Sequence, residues 1–180
     1  MRMIATSRLT LEPQVAAHAE EMFGVLSDPA IYEHENQPPA SIEWLRERFG
    51  GLESRLSAHG REQWLNWVIR LRTSGLIGYV QATVFPTERA AIAYVMSSRY
   101  WGRGLAREAC EAMLAELARR YEVRTAHAVF KRNNVRSLRL LERLGFAAAS
   151  PGADVGPDEL LMKRSIPSRL ATHITYRIAR

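Results

Sequence analysis

Tyr100-Trp101-Gly102-Arg103-Gly104-Leu105-Ala106-Arg107-Glu108-Ala109 is a glycine-bearing turn that runs into a helical pattern. The first N–H groups of a helix have no partner inside it and point outward. The helix dipole adds partial positive charge at the same end, so a phosphate is well placed there. Gly102 and Gly104 lack a Cβ, which lets the backbone approach a ligand and take positive φ at little steric cost. Leu105, Ala109, Met113 and Leu117 then recur on one helical face, with Cys110, Leu114 and Tyr121 beside them. Arg107, Glu108, Glu111, Glu116, Arg119 and Arg120 fall largely on the polar side, where Glu116 and Arg120 make a favourable i,i+4 pair. Before the turn, Ala91 to Met96 reads as a buried strand, and strand, turn, helix is the setting a phosphate-binding turn requires. The spacing is not G-x-G-x-x-G, and no acidic residue on a following strand could hold a ribose, which speaks against a dinucleotide site. The absence of G-K-[ST] removes a Walker A loop.

A second signal follows at Asn134-Val135-Arg136-Ser137. It opens a short helical pattern, Val135, Leu138, Leu141 with Leu140 and Leu144 alongside, that stops at Gly145. Asn133 or Asn134 suits an N-cap, and Gly145 suits the residue just past the helix end. Ser137, one turn in, is open to a solvent-facing or back-bonding role.

The two elements in this order resemble the acyl-CoA-binding core of the GNAT (GCN5-related) N-acetyltransferases. Within that superfamily they look most like the branch with the ribosomal-protein N-terminal acetyltransferases. The resemblance implies an α+β GNAT fold: a mixed, mostly antiparallel central sheet, helices on both faces, and a splayed acyl-CoA cleft. It implies acetyl-CoA as cosubstrate. Gly102, Arg103, Gly104, Leu105, Ala106 and Arg107 match the pyrophosphate loop. Tyr94, Val95 and Met96 match the strand beside the pantetheine. Asn134 matches an Asn that contacts the pantetheine or nucleotide part of the cofactor. Many relatives place an acid Tyr seven residues after this Asn; here that position is Leu141, and the role of proton donor to the CoA thiolate moves to Ser137. Coenzyme A carries a pyrophosphate and a 3′-phosphate, which suits the arginines at 99, 103, 107, 136 and 139.

Outward from this core, Arg8 to Pro13 alternates and reads as an edge strand. Val15 to Leu26 and Ser41 to Ser57 read as helices, the second with Ser41 as N-cap. Trp64 to Leu71 and Leu76 to Phe85 read as strands joined by a tight Thr-Ser-Gly turn, followed by strands at Ala90 to Met96, Arg124 to Phe130 and Glu159 to Ile166. The order β-α-α-β-β-β-α-β-α-β-β fits the resembled fold, with one GNAT domain over 1–167 and a basic tail over 168–180. Ser7-Arg8-Leu9-Thr10-Leu11 and the Ile77-Gly78 strand also look like that branch.

A chain of 180 residues with 47% hydrophobic residues can bury one sizeable core. The N-terminus lacks the apolar run of a signal peptide, and the longest uncharged run, Thr73 to Thr87, is broken by Gly75, Gly78, Gln81 and Pro86, so no membrane span is expected and cytoplasm is the expected compartment. Cys110 has no cysteine partner and sits on the apolar helix side, so it reads as core packing. His18, His34, His59, His127 and His173 lack metal-ligand spacing, and no metal is expected. Net charge is +6 with a pI near 10.0. Coenzyme A explains the basic residues near the two signals better than nucleic acid does; the tail charges stay open. A monomer or a homodimer is expected.

The implied reaction is direct attack of a primary amine, from a protein N-terminus or a small molecule, on acetyl-CoA. A backbone N–H at the Val95–Met96 edge is expected to hold the thioester oxygen. No general base is evident. Some relatives use a Glu near the position of Val129, and others one near Ala91. The candidates that remain are Asp154, Asp158 and Glu159 near the last hairpin, and His34 and Glu35 in an acidic loop. The competing readings are a catalytically silent acyl-CoA-binding or regulatory module and an RNA-associated module acting through the tail.

Overall fold

The computed structural model describes residues 1–34, 36–152 and 155–167. Eight strands form one sheet: β1 (Ile4–Ala5), β2 (Leu9–Pro13), β3 (Gln63–Leu71), β4 (Gly75–Phe85), β5 (Arg89–Met96), β6 (Thr125–Lys131), β7 (Ala147–Ala148) and β8 (Glu159–Ser165). Their order is β1-β2-β3-β4-β5-β6-β8-β7, and every pair is antiparallel except β5–β6. Among the described residues four α-helices complete the fold: α1 (Ala19–Leu26), α2 (Ile42–Gly51), α3 (Leu105–Arg120) and α4 (Val135–Arg143). This is the α+β GNAT architecture that the resemblance implied.

The sheet has two apolar faces because its strands alternate. In β3, Trp67 and Ile69 join α3 and α4 in the larger cluster, while Val68 faces α1 and α2 with Met22, Leu45 and Phe49. A bulge on β4 shifts the phase. Ile69 pairs with Gly78, but Arg70 pairs with Leu76, so Ile77 is the extra residue. Leu76 therefore turns to the α1–α2 face, whereas Ile77 and Val80 both face α3. Gly78 lies where β4 presses on β5: a Cβ there would stand 2.1 Å from the Val95 carbonyl oxygen.

Several sequence expectations need correction. β1 was not foreseen, and its two residues pair with Leu11 and Thr10. The first helix starts as a 3₁₀ turn over Ala16–His18. The second starts where expected, with Ser41 Oγ accepting from Trp44 N–H at 3.1 Å. It ends six residues early, after Gly51; a 3₁₀ turn follows, and Arg55 takes φ of 60°. Glu116 is not on a polar face. It is fully buried, gripped by Arg2 at 2.7 Å, with Arg119 at 3.4 Å and Arg120 at 3.9 Å. Burial pushes its carboxyl up, and the hydrogen bonds and charge of Arg2 outweigh that, leaving it below the usual range. Cys110 is buried as expected, its thiol pushed up to about 12 by that burial.

Candidate active site

The site begins where two strands part. β4 and β5 stay paired from Phe85–Arg89 to Gly78–Met96. β5 and β6 pair only over Arg89–Ala91 and Thr125–His127. Beyond Ala91 the two separate, and a cleft of about 900 Å³ opens beside the last residues of β5. Ser97 N–H donates to the Ile77 carbonyl at 2.9 Å, on the β4 side. Strand alternation therefore turns the N–H of Met96 toward the gap. The Met96 carbonyl accepts from the Trp101 indole at 2.8 Å, which anchors the turn to the strand end.

Both sequence signals wall this cleft. Tyr94, Val95 and Met96 line it from β5; Gly102, Gly104, Leu105, Ala106 and Arg107 from the turn and the first turn of α3; Asn134 and Ser137 from α4. Gly102 and Gly104 both take φ of 73°, the left-handed region that a Cβ would strain. Arg103 is placed differently from its neighbours. Its guanidinium lies over the Tyr100 ring at 5.6 Å, and its carbonyl accepts from Arg8 Nη1 at 3.0 Å.

Asn134 is the cap of α4: its Oδ1 accepts from Ser137 N–H at 3.0 Å. Gly145 ends the helix with φ of 76°. The Tyr94 hydroxyl donates to the Ser137 carbonyl at 3.4 Å and so ties β5 to α4. Burial pushes the Tyr94 phenol well above its ordinary range. Leu141 is 1% exposed and belongs to the core, so no polar group stands at that helix position.

The fourth wall is the turn that carries His34, one of the base candidates. Ala30, Ile31, Glu33 and His34 reach the cleft from the turn after α1. Asp28 holds that turn in place: it accepts from Ala30 N–H at 3.1 Å and from Ser98 N–H at 2.8 Å, just past β5. Hydrogen bonding from Ser98 keeps its carboxyl below the usual range. Glu33 pairs with Arg136 Nη1 at 2.8 Å, and Arg136 stacks on Trp101 at 4.4 Å. Nothing local in the sequence marks these contacts, because Glu33 and Arg136 are 103 positions apart.

The base candidates separate clearly. Asp158 and Glu159 both pair with Lys131, at 3.0 and 3.2 Å, and Glu159 also accepts from Gly156 N–H at 2.8 Å. Lys131 holds Asp158 below the usual range; the Gly156 N–H and then Lys131 do the same for Glu159. His34 lines the cleft and an adjoining hollow of about 480 Å³ that also holds Lys131, Arg132 and Asp158. Its Nε2 is 4.0 Å from Glu33, and its Nδ1 is buried without a hydrogen-bond partner among the described residues. Asp154 and Glu35 lie outside the described residues, as does the tail 168–180. Val129 is 41% exposed on β6. Among the described residues no cluster of three His, Cys, Asp or Glu could hold a metal ion, and no helix is long and apolar enough to cross a membrane.

The parted β5–β6 pair thus carries a glycine turn and an Asn-capped helix on the rim of one cleft. The acetyltransferase (GNAT) domain family model matches residues 8–147. The chain belongs to the GNAT acetyltransferase family. Among the solved structures similar to it are the three that follow. RimL, a ribosomal L7/L12 α-N-protein acetyltransferase in complex with coenzyme A, matches at TM-score 0.75 and 16% identity, over 91% of this chain and 98% of that one. MccE, the microcin C7 self-immunity acetyltransferase in complex with acetyl-CoA and AMP, matches at 0.74 and 16%, over 89% and 94%. The ribosomal-protein-S5-alanine acetyltransferase from Vibrio fischeri matches at 0.71 and 17%, over 91% and 96%. At these identities the likeness to the three is one of fold.

Proposed function

We propose that this GNAT protein transfers an acetyl group from acetyl-CoA to a primary amine by direct attack in a ternary complex. The observation that carries this reading is the shared cleft: the Gly102–Arg107 turn, the β5 edge and Ser137 all line one opening. RimL and MccE, which share the fold, hold coenzyme A and acetyl-CoA. In this chain the pyrophosphate would lie on the free N–H groups at the α3 N-terminus. The thioester carbonyl would accept from Met96 N–H, which strengthens its hold as the oxygen gains charge.

The amine nitrogen attacks the thioester carbon, and the C–S bond then breaks. Ser137 is assigned the proton for the departing sulfur, since its own N–H is committed to the Asn134 cap and its hydroxyl is not. The attacking amine must first lose a proton, which needs less help at an α-amino group than at lysine, about 8 against about 10. The carboxylates of Asp158 and Glu159 are already engaged by Lys131. His34 borders the cleft, and its Nδ1 has no hydrogen-bond partner among the described residues, which keeps this imidazole as the candidate base. The acceptor is an amine of a protein N-terminus or a small molecule, a choice the shared fold leaves open.

Those engaged carboxylates also support a second reading, a silent acyl-CoA-binding module. One assay separates the two: acetyl-CoA is incubated with N-terminal peptides, amino acids, small amines and aminoglycosides, and thiol release is followed beside acetylated product. Stoichiometric release with one acceptor class is expected. Tight acetyl-CoA binding with no turnover across the panel favours the silent module.

A further inference from the structure

We infer that Arg8, clamped by Glu108, is a positioning residue that sets the direction of the Gly104 N–H in the phosphate turn. The inference rests on the reading that this turn holds the pyrophosphate of acetyl-CoA. The Glu108 carboxylate, one turn into α3, gathers the whole Thr6–Arg8 corner. Its Oε1 accepts from Thr6 Oγ1 at 2.6 Å, Ser7 Oγ at 2.9 Å and Arg8 N–H at 2.9 Å, and its Oε2 accepts from Arg8 Nε at 2.7 Å. With Nε held there, the other branch of the guanidinium reaches the Arg103 carbonyl at 3.0 Å.

A peptide unit is planar and trans, so its C=O and N–H point in opposite directions. Fixing the Arg103 carbonyl toward Arg8 thus turns the Gly104 N–H away from Arg8. Gly104 lines the cleft and Arg8 does not. The N–H is thereby held toward the ligand side without Arg8 touching the ligand. Gly104 cannot hold this direction by itself, because a glycine at φ of 73° has wide backbone freedom. The Arg8 charge is matched by Glu108, so the pair contributes orientation rather than added positive potential. Only a planar fork can span the carboxylate and the carbonyl together; a lysine ammonium is a single point.

The test uses the full chain and two probes, acetyl-CoA and S-acetylpantetheine, which has the thioester and pantetheine but no phosphate. The wild type is expected to bind acetyl-CoA the more tightly; equal affinity would remove the pyrophosphate from this turn, and the underlying reading with it. In Arg8→Lys the Kd for acetyl-CoA is expected to rise about tenfold, the loss of a charge-assisted contact's alignment. The Kd for S-acetylpantetheine and the kcat at saturating acetyl-CoA are expected to hold. Unchanged acetyl-CoA affinity overturns the inference, and so does equal weakening of both probes, which marks a general structural role. Should Arg8→Lys fail to fold, Glu108→Gln, which keeps the shape and drops the charge, is expected to raise the acetyl-CoA Kd and to leave the S-acetylpantetheine Kd unchanged.

Discussion

Asn134 and Ser137 share one hydrogen bond yet carry separable tasks. Ser137→Ala keeps the backbone N–H that Asn134 accepts, so the helix start survives. Turnover is expected to fall by about 10²–10⁴ if the hydroxyl serves the thiolate, with acetyl-CoA affinity retained. Steady-state acetylation beside a coenzyme A titration checks it; a wild-type rate would pass the proton to water or another group. Asn134→Ala removes the cap and is expected to cost about 1 kcal/mol in denaturant melts, with weaker cofactor binding as well. Glu108 allows a pH prediction. Burial would raise its carboxyl, but hydrogen bonds from Thr6, Arg8 and Ser7 bring it down to about 2. A lowered folded value means the contribution is complete above the unfolded value, about 4.3, and is lost as pH falls through about 2. The stability gap between wild type and Glu108→Gln is therefore expected to close on acidification across that window in melts at stepped pH. These residues differed in legibility. Asn134 and Ser137 stood out because a cap and its helix are neighbours in sequence. Arg8, Asp28 and Glu116 did not, because Arg8 reaches Arg103 and Glu108 across 95 and 100 positions, Asp28 reaches Ser98 across 70, and Glu116 reaches Arg2 across 114.

Among the elements, the β4–β5 pair is pressed together at one residue. Gly78 leaves no room for even a methyl group, since its nearest neighbours at 2.1 and 2.9 Å are backbone atoms of Val95 and Met96. Backbone cannot swing aside as a side-chain tip can. Gly78→Ala is expected to cost about 2 kcal/mol or more and to lower acetyl-CoA affinity, because the strand it displaces is the cleft wall. Thermal melts and a coenzyme A titration check both; a variant as stable as wild type would mean that β5 moves freely. Strand and helix periods made most elements readable in advance. The bulge at Ile77 was not, since an extra residue leaves no local signature between Leu76 and Val80, where no polar side chain alternates with the apolar ones to mark the phase. The early end of α2 was missed because the pattern continues while the backbone turns at Arg55.

For the molecule as a whole, a ligand that binds only the folded state adds stability by mass action. Acetyl-CoA at a hundredfold its Kd is expected to add about 2.7 kcal/mol, a rise of roughly 5–10 °C in Tm for a chain of this size. A scan with rising acetyl-CoA checks it; a flat Tm at millimolar ligand would remove the cofactor reading.

By itself the sequence determined the succession of elements, the phosphate-ready turn before α3 and the capped start of α4. Each of these depends on residues within a few positions of one another, where period, glycine and cap chemistry act directly. Only the tertiary structure decided that β5 and β6 part after Ala91, that Asp28 brings the Glu33–His34 turn to the same opening, and that Lys131 engages Asp158 and Glu159. Those outcomes come from pairings between distant segments, whose geometry is settled by how the two apolar faces of the sheet pack and not by any local preference.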